Sequence, residues 1–233
     1  MKSVIEVKNL NKSFGSQHIL KDVNFVVPQG AFAIFAGKNG SGKTTTIKSI
    51  LDLYSLDKGS LITINGISSL NPQAREKIAY IPEKDSFSNE ITNNFLIRMG
   101  LLNNLPLEQI KAKIDKYIKL FDAQKYLNVP LDKLSSGNAK KIMIIQALIA
   151  DANCFIMDEP TDNLDPETRV LFYKQMKKLQ QENKTIFISS HNLLEVGEFA
   201  DYAIIIANGE IKYTGKFKNS KQLLKLYGLE KIV

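Results

Sequence analysis

The sequence predicts an α/β fold: a mostly parallel sheet with helices on both faces, an antiparallel β flank and a helical subdomain. Three observations carry the prediction. Short apolar runs alternate with amphipathic stretches along most of the chain, the pattern of parallel strands joined by helices. Two alternating apolar/polar stretches precede the first fully apolar run, which suggests an antiparallel flank. From about Asn89 to Ala150 the strand signals stop and apolar residues recur at helical spacing.

Taken in order, Val4 to Val7 alternates and reads as a strand, Phe14-Gly15 as a turn, and Ile19 to Val27 as a second strand broken by Pro28-Gln29-Gly30. Ala31 to Ala36 is apolar throughout and reads as a buried strand. Thr45 to Leu53 reads as a helix, and Asp57-Lys58-Gly59-Ser60 turns the chain. Leu61 to Ile64 is a strand ending at Asn65-Gly66, a hairpin signal. Ile78 to Ile81 is a short buried strand stopped by Pro82 and followed by Glu83. Leu107, Ile110, Ile114, Tyr117, Ile118 and Phe121 form one helical face, with lysines between them; that face is either plain core or partly a docking surface for a partner helix. Leu134-Ser135-Ser136-Gly137 opens another helix, with serines placed to cap it, and Ile142 to Ala150 is apolar enough to be buried. Asn153 to Met157 is a buried strand that runs into Asp158-Glu159. Pro166 to Gln180 is an amphipathic helix, Thr185 to Ser189 a strand leading to His191, and Asn192 to Phe199 a helix. Tyr202 to Ala207 is a last strand turned by Asn208-Gly209, and a short amphipathic helix follows Phe217. No internal repeat is present. The expected organisation is one domain over 1–233, with a core from 1–85 and 151–233 and the helical subdomain at 86–150.

The 233 residues include 44% hydrophobic ones, ample for a sizeable core, yet no apolar stretch is long enough to span a membrane. The N-terminus lacks the apolar segment of a signal peptide, so a cytoplasmic location is expected. The single cysteine, Cys154, lies in an apolar strand and reads as a buried, inert thiol. A net charge of +7 permits an anionic partner. The positive residues are spread along the chain, however, and only Arg75, Arg98 and Arg169 are arginine, so no nucleic-acid partner is expected.

The chemistry centres on Gly37-Lys38-Asn39-Gly40-Ser41-Gly42-Lys43-Thr44-Thr45, which fits G-x-x-x-x-G-K-[ST] at every fixed position and sits between a predicted strand and a predicted helix. Gly37, Gly40 and Gly42 allow turns that let backbone N–H groups surround phosphate oxygens; Asn39, Ser41 and Thr45 lie in the same cradle. The helix N-terminus adds partial positive charge. Lys43 brings a full charge to the β- and γ-phosphates, and the Thr44 hydroxyl serves Mg²⁺. Asp158 ends an apolar strand, as a second Mg²⁺-holding carboxylate of a phosphate-loop enzyme should. Glu159 beside it could polarise a water for in-line attack. His191 follows the next strand, either as a structural histidine or as a donor to the γ-phosphate that also holds Glu159. Phe14 is either a hydrophobic plug or a flat ring for base stacking.

Assembled, these residues resemble the nucleotide-binding subunit of the ATP-binding cassette (ABC) family over nearly the whole chain. Gly37 to Thr45 is similar to the first Walker motif, and Cys154 to Glu159 to the second with its catalytic glutamate. Leu134-Ser135-Ser136-Gly137-Asn138 is similar to the signature Leu-Ser-Gly-Gly-Gln. Thr161 to Asp165 resembles the dimer-contacting loop, His191 the switch histidine and Phe14 the adenine-stacking aromatic. The chain departs from the family at Glu83, where glutamine is usual, and at Ser136 and Asn138. A glutamate at 83 could still ligate Mg²⁺ or water, but adds negative charge.

The resemblance implies a phosphate-loop NTPase core that hydrolyses ATP with Mg²⁺. Two copies would close head-to-tail, each ATP lying between one phosphate loop and Ser135 and Gly137 of the other copy; without ATP a monomer is expected. It implies a separate transmembrane permease, with this chain peripheral on the inner face of the cell membrane. Export is favoured, because Glu83 is common in exporters with a separate membrane chain and no large C-terminal regulatory segment follows the cassette. The alternative is a soluble ABC ATPase acting on DNA or ribosomes.

Overall fold

In a computed structural model the described residues are 2–84 and 89–228, so the expected subdomain boundary at 85–86 lies outside them. Two sheets organise the chain. The first is antiparallel, in the order β2-β1-β4-β5, from β1 (Ser3–Phe14), β2 (Gln17–Pro28), β4 (Leu61–Ile64) and β5 (Ile67–Ser68). The second has six strands in the order β10-β9-β3-β8-β7-β6. Its members are β3 (Phe32–Ala36), β6 (Ile78–Ile81), β7 (Cys154–Asp158), β8 (Thr185–Ser190), β9 (Tyr202–Ala207) and β10 (Glu210–Lys216). Strands β6, β7, β8, β3 and β9 run parallel, and β10 closes one edge antiparallel to β9.

The parallel strands are mostly apolar because both faces are covered, one by helices and the other by the antiparallel sheet and α1. Successive side chains point to opposite faces and enter different cores. Phe32, Ile34 and Ala36 of β3 join one apolar cluster, with Phe155, Met157, Ile186 and Ile188. Ala33 and Phe35 join the other, with Cys154, Ile156 and Phe187. That second cluster fills the space between the two sheets, where Phe35 packs against Phe25 and Phe187 at 5.6 and 5.5 Å. Burying each such ring contributes about 1.5–3 kcal/mol. Cys154 lies in the same layer, where burial pushes its thiol up to about 12. A thiol reagent at neutral pH should therefore leave the native protein unlabelled and modify Cys154 only in denaturant; prompt native labelling would contradict this packing.

Seven helices complete the described fold: α1 (Lys43–Ile50), α2 (Thr92–Leu102), α3 (Leu107–Leu120), α4 (Ser136–Ile149), α5 (Pro166–Gln181), α6 (Leu193–Val196) and α7 (Ser220–Tyr227). The predicted face of α3 is buried except at its start, where Leu107 is exposed: Ile110, Ile114, Tyr117 and Ile118 belong to the first core cluster, together with Leu96 of α2 and the apolar residues between Ile142 and Ile149 of α4. Those four side chains and Phe121 are thus core, and the docking alternative does not apply to them.

Several boundaries differ from expectation. The first two strands are 12 residues each rather than four and nine, because pairing across a bulged hairpin continues to Phe14↔Gln17. The helix expected over Asn192–Phe199 is the single turn α6. Strand β10 was not anticipated. Its residues alternate between exposed and half-buried, as an edge strand with one solvated face does, and too few are apolar to stand out.

Candidate active site

Gly37 to Thr45 joins the C-terminal end of β3 to α1, so the loop lies at the carboxyl edge of the parallel sheet, where open α/β sheets bind ligands. Gly40 and Gly42 adopt φ of 77° and 110°, which a side chain would resist. A Cβ on Gly37 would come 2.6 Å from the Ile206 carbonyl oxygen, so β9 leaves room for hydrogen alone.

Lys43 opens α1 and is buried; its Nζ donates to the Gly37 carbonyl at 2.8 Å and lies 3.5 Å from Glu159 Oε1. Glu159 follows β7 with φ of 45°, a left-handed conformation that costs a non-glycine residue about 1–2 kcal/mol. Its N–H donates to Ser189 Oγ at 2.9 Å, and its Oε2 accepts from the His191 N–H at 3.3 Å and lies 3.0 Å from His191 Nδ1. Burial raises the Glu159 pKa; Lys43, then His191, oppose that rise without cancelling it. A carboxylate in this setting is a stronger base than one in water.

Ser189, at the C-terminal part of β8, also donates to Asp158 Oδ1 at 2.6 Å. One hydroxyl therefore fixes both acidic residues. Asp158 is fully buried, and its Oδ2 has no hydrogen-bond partner among the described residues. The Thr44 hydroxyl donates to Glu83 Oε2 at 3.4 Å. The Thr44 hydroxyl and the Glu83 carboxylate, which meet, and the Asp158 carboxylate are each oxygen donors of the kind Mg²⁺ takes.

A cavity of about 490 Å³ opens over this region, lined by Gln17, Ile19, Asn39, Gly40, Gly42, Lys43, Thr44, Thr45, Glu83, Glu159, Asp162 and His191. The structure thus brings the predicted phosphate loop, glutamate and histidine together with Glu83. It does not bring Phe14 or the fully buried Asp158 into the lining. The Phe14 ring is 45% exposed and meets Tyr54 edge-on at 5.3 Å, with Lys12 Nζ 5.1 Å above it. Ser135 and Gly137 also lie outside this cavity. Ser135 caps α4, accepting from the Asn138 N–H at 3.4 Å, and is exposed.

The α4 N-terminus packs on the loop after β7. A Cβ on Gly137 would sit 2.4 Å from the Asn163 carbonyl oxygen, and Lys141 Nζ meets Asp165 at 3.0 Å. Gly137→Ala should therefore destabilise the fold by about 1–3 kcal/mol through overpacking, read as a lower urea midpoint. An unchanged midpoint would mean the two segments do not touch.

Sequence reasoning did not single out Ser189, Gln17 or Ile19. Ser189 had a faint signal, a polar residue closing an apolar strand. Gln17 and Ile19 had none, since only the packing of the start of β2 on Gly42 and on the turn at Gly209 places them beside the loop.

A sequence model of the ABC transporter family matches residues 20–162. A Mycoplasma pneumoniae protein named as an ABC transporter ATP-binding protein is 42% identical over 221 residues, covering 93% of this chain and 68% of that relative. The chain belongs to the ABC transporter family. It is an ABC ATPase domain, the ATP-binding subunit of a transporter, and its substrate is ATP with Mg²⁺. A solved ATP-binding subunit of an ABC transporter superposes with a TM-score of 0.87 at 28% identity, covering 98% of this chain and 95% of that one. Other relatives of this ABC subunit differ in direction. A Nod factor export ATP-binding protein of Cupriavidus pinatubonensis is 29% identical, over 92% of this chain and 66% of its own length. A spermidine/putrescine import ATP-binding protein of Clostridium novyi is 30% identical, over 91% and 62%. Among the described residues no helix is long and apolar enough to cross a membrane.

Proposed function

We propose that this ABC subunit is one of two identical halves that close head-to-tail around ATP and drive export through a separate transmembrane subunit, which would hold it at the inner face of the membrane. One observation carries the reading. Lys43, Thr44, Glu83, Glu159 and His191 share one open cavity, while Ser135 is exposed outside it on the same chain. A single copy therefore leaves the phosphate side of the cavity facing solvent, and a second copy can supply the missing wall.

In this reading Gly37 to Thr45 grips the phosphates, and Lys43 balances charge developing on the β–γ bridge. Mg²⁺, when bound, would neutralise phosphate charge, held by Thr44 and Asp158 with Glu83 beside them. Glu159 accepts a proton from the attacking water, and His191 holds the Glu159 carboxylate in place through Oε2. Ser135 and the Gly137 N–H of the second copy approach the γ-phosphate. Phe14, outside the cavity lining, would stack on the base across the rim. Lost γ-phosphate charge lets the halves part.

Export is favoured by Glu83, which resembles exporters with a separate membrane chain, and by the Nod factor export relative. Inverted membrane vesicles carrying the subunit and its co-purified permease should accumulate a transported lipophilic dye when ATP is added outside. ATP-driven loss of preloaded solute would reverse the assigned direction.

Ser135→Arg tests the shared seam. An arginine is far larger than the serine it replaces and would hold the two copies apart; overpacking costs about 1–3 kcal/mol, so turnover should fall about 10- to 100-fold. ATP binding to the monomer should stay as in the parent. Undiminished ATPase would remove Ser135 from any interface.

A further inference from the structure

Two side chains connect the cavity to the helix that begins at Ser136. Thr44 Oγ1 donates to Glu83 Oε2, as above. The backbone that presents Glu83 is in turn held by Lys140 of α4: its Nζ donates to the Pro82 carbonyl at 2.8 Å and the Glu83 carbonyl at 3.0 Å. Lys140 is only 5% exposed. Charge-assisted hydrogen bonds are about twice as strong as neutral ones, and two from one nitrogen fix a peptide in direction as well as distance. Lys140 stands four residues beyond Ser136 and three beyond Gly137, so all three share one side of the first helical turns. Glu83, Ser136, Ala139 and Lys140 also line a second cavity of about 550 Å³.

We propose that Lys140 is a positioning residue for ATP-dependent closure: it ties the loop carrying Glu83 to the first turns of α4, so that the state of the Thr44–Glu83 pair sets where Ser135 and Gly137 stand. The inference rests on the shared-seam reading above. Rotation of α4 relative to the sheet cannot occur without either dragging the 82–83 peptide or breaking both Lys140 bonds. ATP contacts at Thr44 and Glu83 would then favour one placement of the helix, and their loss would free it.

Lys140→Met keeps the length and apolar stem but removes the donors. Lys140→Arg keeps the donors. Lys113→Met is the control: Lys113 Nζ donates to the Ile149 carbonyl at the opposite end of α4, at 3.1 Å, by the same chemistry. All three are made in a Glu159→Gln parent, and ATP-induced dimer is measured by size-exclusion chromatography with light scattering, alongside monomer affinity for a fluorescent ATP analogue. Lys140→Met should bind nucleotide within about twofold of the parent yet need about tenfold or more protein to dimerise, the scale of losing hydrogen bonds to a charged group. Lys140→Arg should restore dimerisation, and Lys113→Met should leave it unchanged. Combined with Glu83→Ala, Lys140→Met should add little, because both act through one connection. Normal dimerisation of Lys140→Met, an equal loss in Lys113→Met, or additivity with Glu83→Ala overturns the inference. If the Glu159→Gln parent itself fails to dimerise with ATP, the shared-seam reading fails, and this inference with it.

Discussion

Lys43→Ala should reduce ATP turnover by at least about 1,000-fold, since removing one preorganised donor from developing charge costs about 100- to 1,000-fold and here a full charge goes with it. The Lys43 ammonium is buried, 2.8 Å from the Gly37 carbonyl and 3.5 Å from Glu159 Oε1. Among the described residues that line the cavity there is no other lysine and no arginine. Alanine leaves the Gly37 carbonyl without this donor and takes from Glu159 the largest of the effects opposing its raised pKa. The carboxyl then holds its proton to higher pH, so residual activity should need more alkaline solution than the parent's. Steady-state ATPase with purified protein, together with ATP binding by calorimetry, checks both. Parent-like rates would remove Lys43 from the site.

Glu159→Gln should stop hydrolysis, by about 1,000-fold or more, while ATP still binds and two copies stay closed. The amide keeps the shape of the carboxylate and an oxygen acceptor for the His191 N–H, which the parent meets at 3.3 Å. It cannot take a proton from water. The accumulated species should be an ATP-bound dimer, seen by light scattering. Normal hydrolysis would mean that a different group is the base.

The same residue sets a pH dependence. Burial raises the Glu159 pKa in the folded protein above its ordinary value of 4.5. A raised carboxyl pKa favours the fold while the group is protonated. That stability is fully present below the unfolded pKa and is lost as pH rises through the folded one. Turnover moves the opposite way, because the carboxylate is the base. Activity should therefore climb across the window above 4.5 in which the Glu159 contribution to stability falls. At neutral pH Glu159→Gln, which cannot ionise, should melt no lower than the parent. A lower melting temperature there would mean that the charged carboxylate is held favourably by Lys43 and His191 after all.

Most of the fold was legible because its signals are local. Ala31–Ala36 and Asn153–Met157 announce buried strands by continuous apolar composition, and β3 and β7 are those runs. Ser135 reads as a cap from its place before a helix, and its side chain accepts from the Asn138 N–H. The failures fall where burial is partial. The edge strand β10 hides its alternation among lysines and tyrosine, and α6 is a single turn that no periodicity could define. The readings of Phe14 diverged for a related reason. Its surroundings include Tyr54, forty residues away, and nothing in the local sequence announces that edge-on contact.

The amino-acid sequence by itself determined the phosphate loop, the acidic pair at the end of β7 and the order of most elements, since each depends on contiguous residues whose backbone preferences and polarity are intrinsic. Only the tertiary structure decided which side chains meet. Ser189 bridging Asp158 and the Glu159 N–H, Lys43 against Glu159, Thr44 reaching Glu83 and Lys140 gripping the 82–83 peptide each join segments separated in the chain. Such contacts are set by strand order and by the faces on which two cores close, and a polar group gains direction only once both partners are fixed in the same buried space.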